Sequence, residues 1–199
     1  MSSMQNDHRS TPMNDEYLQK VTVGELKPHN APITLVAYDP RWPELFEREA
    51  KRIRSVLGNR VLRLEHVGST SVPELCAKPI IDMLLVVADS SAEPSYVADL
   101  EAAGYMLRIR EPDWFEHRMF KGPDTDINLH VFSEGTSEVE RMLRFRDWLR
   151  ANDTDRDNYA RVKRKLAQHV WRNVQNYADA KTSIVQEIMD RANAAGQND

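Results

Sequence analysis

The spacing of apolar residues changes several times along this chain, and each change marks a predicted element. From Met1 to Asp15 polar side chains dominate without a period, which predicts a disordered tail that buries too little apolar surface to offset its ordering. Between Glu16 and Pro32 a few apolar residues stand beside Pro28 and Pro32, the pattern of an extended arm lying on a domain. The domain is expected over residues 33–195. It opens with ITLVAYDP, a short run rich in β-branched and aromatic residues that predicts a strand ending at Asp39-Pro40. Trp42, Leu45, Phe46, Ala50, Ile53 and Leu57 then recur at spacings of three and four, an amphipathic helix closed by Gly58. VLRLEHV predicts a second strand. After the turn HVGST comes IIDMLLVVA, the nearly unbroken apolar run of a central strand buried on both faces.

A helix is predicted from about Pro94 to Ala103, stopped by Gly104. YMLRIR, WFEHRMFK and DINLHVFS read as three strands, and the short turn GPDT forces the last two to be antiparallel. Beyond Gly135 three helices are expected, marked by Val139, Met142, Leu143 and Leu149, by Tyr159, Val162, Leu166 and Val170, and by Tyr177, Ile184 and Ile188. The pattern as a whole is a mixed α/β sheet (α+β) followed by a helical C-terminal part from about residue 136.

Composition narrows the function classes. With 199 residues the chain can build one full-sized core, and a formal charge of -4 gives no general attraction to nucleic acid or an anionic membrane. Any anion site must therefore be a local concentration of donors. Two basic helical stretches, RMLRFRDWLR and RVKRKLAQHVWR, raise an RNA-modifying role, but their charges alternate with apolar positions as on any solvated amphipathic helix. The single cysteine, Cys76, excludes an internal disulfide framework and points to packing. No apolar run approaches the roughly 18 to 20 residues that cross a bilayer, and the polar N-terminus lacks the core of a signal peptide, so a cytoplasmic protein is expected.

Three features carry candidate chemistry. In HVGSTSVP a strand runs into Gly68, Ser69, Thr70 and Ser71, where glycine lets the backbone approach a ligand and the hydroxyls add donors, an arrangement suited to phosphate. A tight turn with a Ser or Thr cap has the same sequence. Asp82 sits among Ile80, Ile81, Met83, Leu84 and Leu85, where a carboxylate is costly unless it meets a cation, a metal or several donors; a structural carboxylate bonded to hydroxyls or to Lys78 is the alternative. Strand parity puts Asp126, Asn128 and His130 on one face, and in the preceding strand it pairs Glu116 with Arg118 on one face and Phe115, His117 and Met119 on the other. Glu116 and Arg118 are expected to join the same site, although a solvent-facing polar stripe would look alike. Lys181 lies four residues after Tyr177 and three before Ile184, on a side otherwise apolar, from which it can reach inward to phosphate or lie along the core with its ammonium in water.

Taken in order, YDPRW, EHVGSTSVP, AKPIIDMLLVV, EHRMF, NLHVF, RFRDWLR and YADAKTSIV resemble the GrpB family of the nucleotidyltransferase-like superfamily, from about Ile33 to Ala192. The resemblance implies a mixed sheet flanked by helices, a Gly-Ser turn that holds a nucleotide triphosphate, and strand carboxylates that hold a divalent metal, Mg or Mn. On that basis Gly68 and Ser69 are the expected phosphate pair with Thr70 and Ser71 beside them. Lys78, Arg118 and Lys181 are further phosphate donors, Asp82 and His130 the catalytic residues, and His66 and Asn128 face the site. Asp82 is the expected metal ligand, joined by His130 or Glu116. The sequence departs from the active superfamily pattern at Leu84, where a second carboxylate is usual, and at the third carboxylate position, where Asn128 and His130 stand with Asp126 nearer the strand start. The implied partner is a nucleotide or other phosphorylated small molecule with an unidentified small acceptor; a membrane or nucleic-acid partner is not expected, on the apolar runs and charge above. The implied functions are transfer of a nucleotidyl or phosphoryl group, or binding of a phosphorylated metabolite by a non-catalytic sensor.

Overall fold

The computed structural model describes residues 13–196. The expected tail therefore lies outside the described residues except for Met13, Asn14 and Asp15. The segment expected to be an extended arm begins instead as a helix, α1 (Asp15–Val21), whose first turn is capped by the Asn14 side chain accepting from the Tyr17 amide at 2.8 Å. Leu18 and Val21 are buried, and extended backbone follows, with the Val23 amide donating to Arg108 O at 2.8 Å. The run 33–40 is extended but forms no strand. Only Val36 pairs, in an isolated bridge with Ala77, because its other neighbours are a helix end and loops that offer no ladder.

The expected amphipathic helix is present as α2 (Trp42–Leu57), ending at Gly58 with φ 56°. Its apolar stripe packs Trp42, Phe46, Ala50, Ile53 and Leu57 against one face of a five-stranded sheet. The strands are β1 (Arg63–Val67), β2 (Ile81–Val87), β3 (Met106–Glu111), β4 (His117–Lys121) and β5 (Ile127–Ser133), in the order β1-β2-β5-β4-β3. Only β2 and β5 pair in parallel; β4 and β5 are antiparallel, as their short connection requires. The short helix α3 (Val97–Ala102) lies on the same side as α2, where Leu100 joins the core with Ile81, Met83, Leu85, Ile127, Leu129 and Val131.

The C-terminal part covers the other face with α4 (Ser137–Ala151), α5 (Asp153–Ala167), α6 (Val174–Asp179) and α7 (Thr182–Ala195). The expected third helix is thus two. The chain breaks at Ala180-Lys181, so Tyr177 is on α6 while Ile184 and Ile188 are on α7. Val170 lies beyond the end of α5 and is 68% exposed. Cys76 is buried with Val72, Leu149 and Ile188, as a packing residue. Among the described residues no helix is long and apolar enough to cross a membrane.

Candidate functional site

β1 ends with Val67 opposite Asp82 of the antiparallel β2, and the chain turns at once through Gly68 into the short helical turn Ser69–Ser71. Gly68 has φ 68° and presses its Cα against the Asp82 carboxylate: a Cβ there would stand 3.0 Å from Asp82 Cβ and 3.1 Å from its Cγ, and would overlap Oδ2. The turn is braced from behind. His66 Nε2 lies 3.0 Å from Thr70 Oγ1, whose hydroxyl donates to Ile80 O at 3.2 Å, and the Ser71 hydroxyl donates to Gly68 O at 2.6 Å. From α4, Arg146 donates to Glu65 and to His66 O, and Arg150 donates twice to Ser71 O, at 3.0 and 2.8 Å. Thr70, Ser71 and His66 therefore hold the turn in shape, and His66 faces away from the cavity described below, stacked on Phe46 at 5.0 Å.

Burial pushes the His66 imidazole down to about 4, which Arg150 and Arg146 assist against Asp82. Unfolded His66 takes up a proton near pH 6.5 that the folded chain refuses until about pH 4, so stability is lost as pH falls through that window. Urea melts are expected to lose at most about 3 kcal/mol from this source, and His66→Phe to remove the slope. A slope unchanged in that variant would show that another group carries the acid sensitivity.

In front of the turn lies a cavity of about 680 Å³, at the ends where the parallel strands β2 and β5 begin. Gly68, Ser69, Lys78, Asp82, Asn128, His130 and Lys181 line it together, as does Lys163 of α5, which sequence reasoning did not single out. Lys163 is 2% exposed, lies over the Tyr159 ring, and donates to Ser69 Oγ at 2.9 Å and to Cys76 O. Lys181 lies over the Tyr177 ring at 4.7 Å. Burial pushes Lys163 down to about 7 and Lys78 down to about 8, with Lys181 adding repulsion to each; Lys181 is itself lowered by burial. Lys78, Lys121, Lys163 and Lys181 thus line one cavity whose carboxylates are Asp82 and Asp126, an arrangement that calls for additional negative charge. The Tyr177 hydroxyl is buried at this cavity without a hydrogen-bond partner among the described residues.

Asp82 and Asn128 sit opposite one another on the parallel pair, and Asn128 Nδ2 donates to Asp82 Oδ1 at 2.8 Å. Burial pushes the Asp82 carboxyl up, but His130, Asn128 and Lys78 outweigh it and hold it below the usual range. His130 Nε2 stands 3.8 Å from the same oxygen. Behind His130 runs a chain of contacts: its Nδ1 is 3.0 Å from His117 Nε2, and His117 Nδ1 is 2.7 Å from Glu111 Oε2.

Arg118 and Glu116 do not join this site. Register places Arg118 beside Val131, on the face covered by α2 and α3, where it binds Glu93 at 2.5 Å and Glu116 at 3.2 Å. Glu116 precedes β4 in a turn with φ 50°, so strand parity did not apply to it. Leu84 shares the Asp82 face but is sealed at 0% exposure among Val67, Val86, Phe132, Val139 and Leu143. A carboxylate there would be dry. Asp126 pairs with Lys121 at 3.0 Å at the cavity edge. The expected donors of a divalent metal thus reduce to Asp82 and His130, and among the described residues no three His, Cys, Asp or Glu side chains could hold an ion. With these lysines facing the same space, the residues present do not fit a resident Mg or Mn.

Residues 32–191 match the family described as GrpB protein. The chain belongs to the GrpB family. This GrpB-family chain is 78% identical over 194 residues to a UPF0157 protein of Halalkalibacterium halodurans, covering 98% of this chain and 100% of the relative. A UPF0157 protein of Streptomyces coelicolor is 45% identical over 168 residues, covering 84% and 88% of the two chains. The crystal structure of GrpB from Enterococcus faecalis matches with a TM-score of 0.71 at 31% identity, over 80% of this chain and 96% of that one. Family and fold class both stand as the sequence predicts, a mixed sheet flanked by helices with a helical C-terminal part.

Lys163 had a readable signal in this GrpB-family sequence. It lies four residues after Tyr159 and three before Leu166, the same inward spacing that singled out Lys181. Arg146 and Arg150 had none, since their target is a turn from a distant part of the chain.

Proposed function

We propose that this GrpB-family protein binds a nucleotide or another phosphorylated small molecule in the cavity between Gly68-Ser69 and α5 to α7, and transfers a nucleotidyl or phosphoryl group from it to a small acceptor. The observation that carries the reading is the gathering of Lys78, Lys121, Lys163 and Lys181 in one cavity with Asp82 and Asp126, against a glycine turn with no room for a side chain. Ammonium groups held in a low-dielectric cavity with too few counter-charges form a ready site for phosphate oxygens, which restore the charge balance. A volume of about 680 Å³ accommodates a nucleotide-sized ligand. Asp82, braced by Asn128, orients the lysines and the ligand. Because the donor set does not fit a resident ion, the lysines supply the positive charge.

Calorimetric titration with each nucleoside triphosphate and with inorganic triphosphate, in metal-free buffer and again with manganese, tests this. Binding is expected without metal, and manganese is expected to change affinity by less than about tenfold, or 1.4 kcal/mol. No heat with any of these ligands in folded protein sinks the reading. Binding only in manganese would make Asp82 and His130 an ion site and the lysines secondary.

A second reading is a sensor that binds a phosphorylated metabolite without turnover. The observation favouring it is Leu84, sealed in the core where a second carboxylate would be needed for two-metal chemistry. Radiolabel transfer from a nucleotide to an acceptor in cell extract excludes it; tight binding with no transfer supports it.

A further inference from the structure

We propose that His130 is the proton acceptor of this site, held by Glu111 and His117 with its Nε2 lone pair turned toward the cavity. The inference rests on the transfer reading above and adds the group that takes the proton of an acceptor hydroxyl.

The order of the hydrogen bonds fixes where the protons sit. Glu111 is 3% exposed and His117 4%, and a carboxylate only accepts, so His117 carries its proton on Nδ1 toward Glu111 Oε2 at 2.7 Å. In the state that can accept a proton both imidazoles are neutral, and His117 then presents a bare Nε2 to His130. The 3.0 Å contact between His117 Nε2 and His130 Nδ1 therefore requires the proton on His130 Nδ1. That leaves His130 Nε2 as an acceptor.

The contact with Asp82 agrees. Asn128 donates to Oδ1 at 2.8 Å, whereas His130 Nε2 stands 3.8 Å from it, beyond hydrogen-bond distance, so that nitrogen is not committed to Asp82. The rings of His117 and His130 are near coplanar, 17° apart and edge to edge across their nitrogen contact, and Phe132 stacks on His117 with centroids 4.7 Å apart. Strand order explains the alignment: Glu111, His117 and His130 stand on the neighbouring strands β3, β4 and β5, so the chain crosses the sheet toward Asp82 on β2. A network with only a packing role could end anywhere. This one ends at a nitrogen on the wall of the lysine-lined cavity, on a side chain 25% exposed.

In the transfer step the acceptor oxygen forms its bond to phosphorus, and the bond from phosphorus to the departing phosphate or pyrophosphate oxygen breaks with its electron pair leaving on that oxygen. The acceptor proton passes to His130 Nε2. His130 can then hand its Nδ1 proton to His117 Nε2, leaving an imidazolium against the Glu111 carboxylate. His130 touches the reacting hydroxyl; Glu111 and His117 are positioning residues.

Histidine-selective 15N labelling of the full chain, with long-range 1H–15N correlation in mildly alkaline buffer, reads the tautomer directly. His130 is expected to carry its proton on Nδ1, and His117→Phe is expected to release it to the Nε2–H form. Glu111→Gln should keep the wild-type tautomer, because its amide oxygen still accepts from His117. An Nε2–H signal for His130 in the wild type, or a tautomer unchanged by His117→Phe, overturns the proposal. His130→Gln is expected to keep inorganic triphosphate binding while losing about 10²-fold or more of label transfer to the extract acceptor; unchanged transfer also overturns it. Triphosphate binding by the wild type is the separate check on the phosphate site, so its failure removes the functional reading whatever tautomer His130 shows.

Discussion

Gly68→Ala is expected to destabilise the protein by about 3 kcal/mol and to abolish triphosphate binding. Two costs add. A backbone at φ 68° and ψ -171°, a region only glycine occupies freely, disfavours a side chain by about 1–3 kcal/mol. The new Cβ also overlaps Asp82 Oδ2 and crowds its Cβ and Cγ, which stand 3.0 and 3.1 Å away. Asp82 cannot simply swing aside, because Asn128 holds Oδ1 at 2.8 Å and Val67 pairs with it from β1. The turn must therefore shift, carrying Ser69 away from Lys163. Denaturant melts and triphosphate titration measure the two effects, and the turn would lose its assigned role if Gly68→Ala bound triphosphate like the wild type.

Lys163→Met is expected to weaken triphosphate binding by about 10- to 150-fold, the value of about 1.5–3 kcal/mol for a hydrogen bond to a charged group. It also changes how stability depends on pH. In the folded chain Lys163 loses its proton near pH 7, whereas unfolded it keeps the proton to about 10.5. Between those limits the unfolded chain binds the extra proton, so wild-type stability rises with pH across the window; below about pH 7 the full cost of the buried charge is present. The variant should lose the Lys163 share of that rise and keep the share from Lys78, which is pushed down to about 8. Ligand affinity has the opposite trend, since a bound phosphate favours the charged lysine and wild-type binding weakens as pH climbs above 7. Melts and titrations across pH check both slopes. A variant that retains the wild-type stability slope would place the proton release on Lys78 or Lys181 instead.

The elements that the sequence made legible are those whose signal is local. The three-and-four spacing from Trp42 to Leu57 defines one helical stripe, and the unbroken run around Met83 and Leu85 belongs to a strand with helices on both faces, whatever lies next to it. The parity of Asn128 and His130 likewise follows from the strand's period of two, and both reach the cavity. The same rule misplaced Glu116, because β4 begins one residue later, after a positive-φ turn, and it left open which face of the sheet Arg118 would meet. The break at Lys181 was hidden for a related reason: apolar spacing continues across it from Tyr177 to Ile184.

By itself the sequence determined the family, the mixed sheet with its helical end, and the meeting of a glycine turn with a strand carboxylate, since strand, turn and strand follow one another directly from Arg63 to Val87. Only the tertiary structure decided what the turn faces. It set Lys163 on Ser69 across 94 residues of chain, gave Thr70 and His66 to bracing, sealed Leu84 beneath α4, and ran Glu111 and His117 up to His130. These are contacts between elements, and the periodicity that specifies each element carries no record of which partner its face will meet.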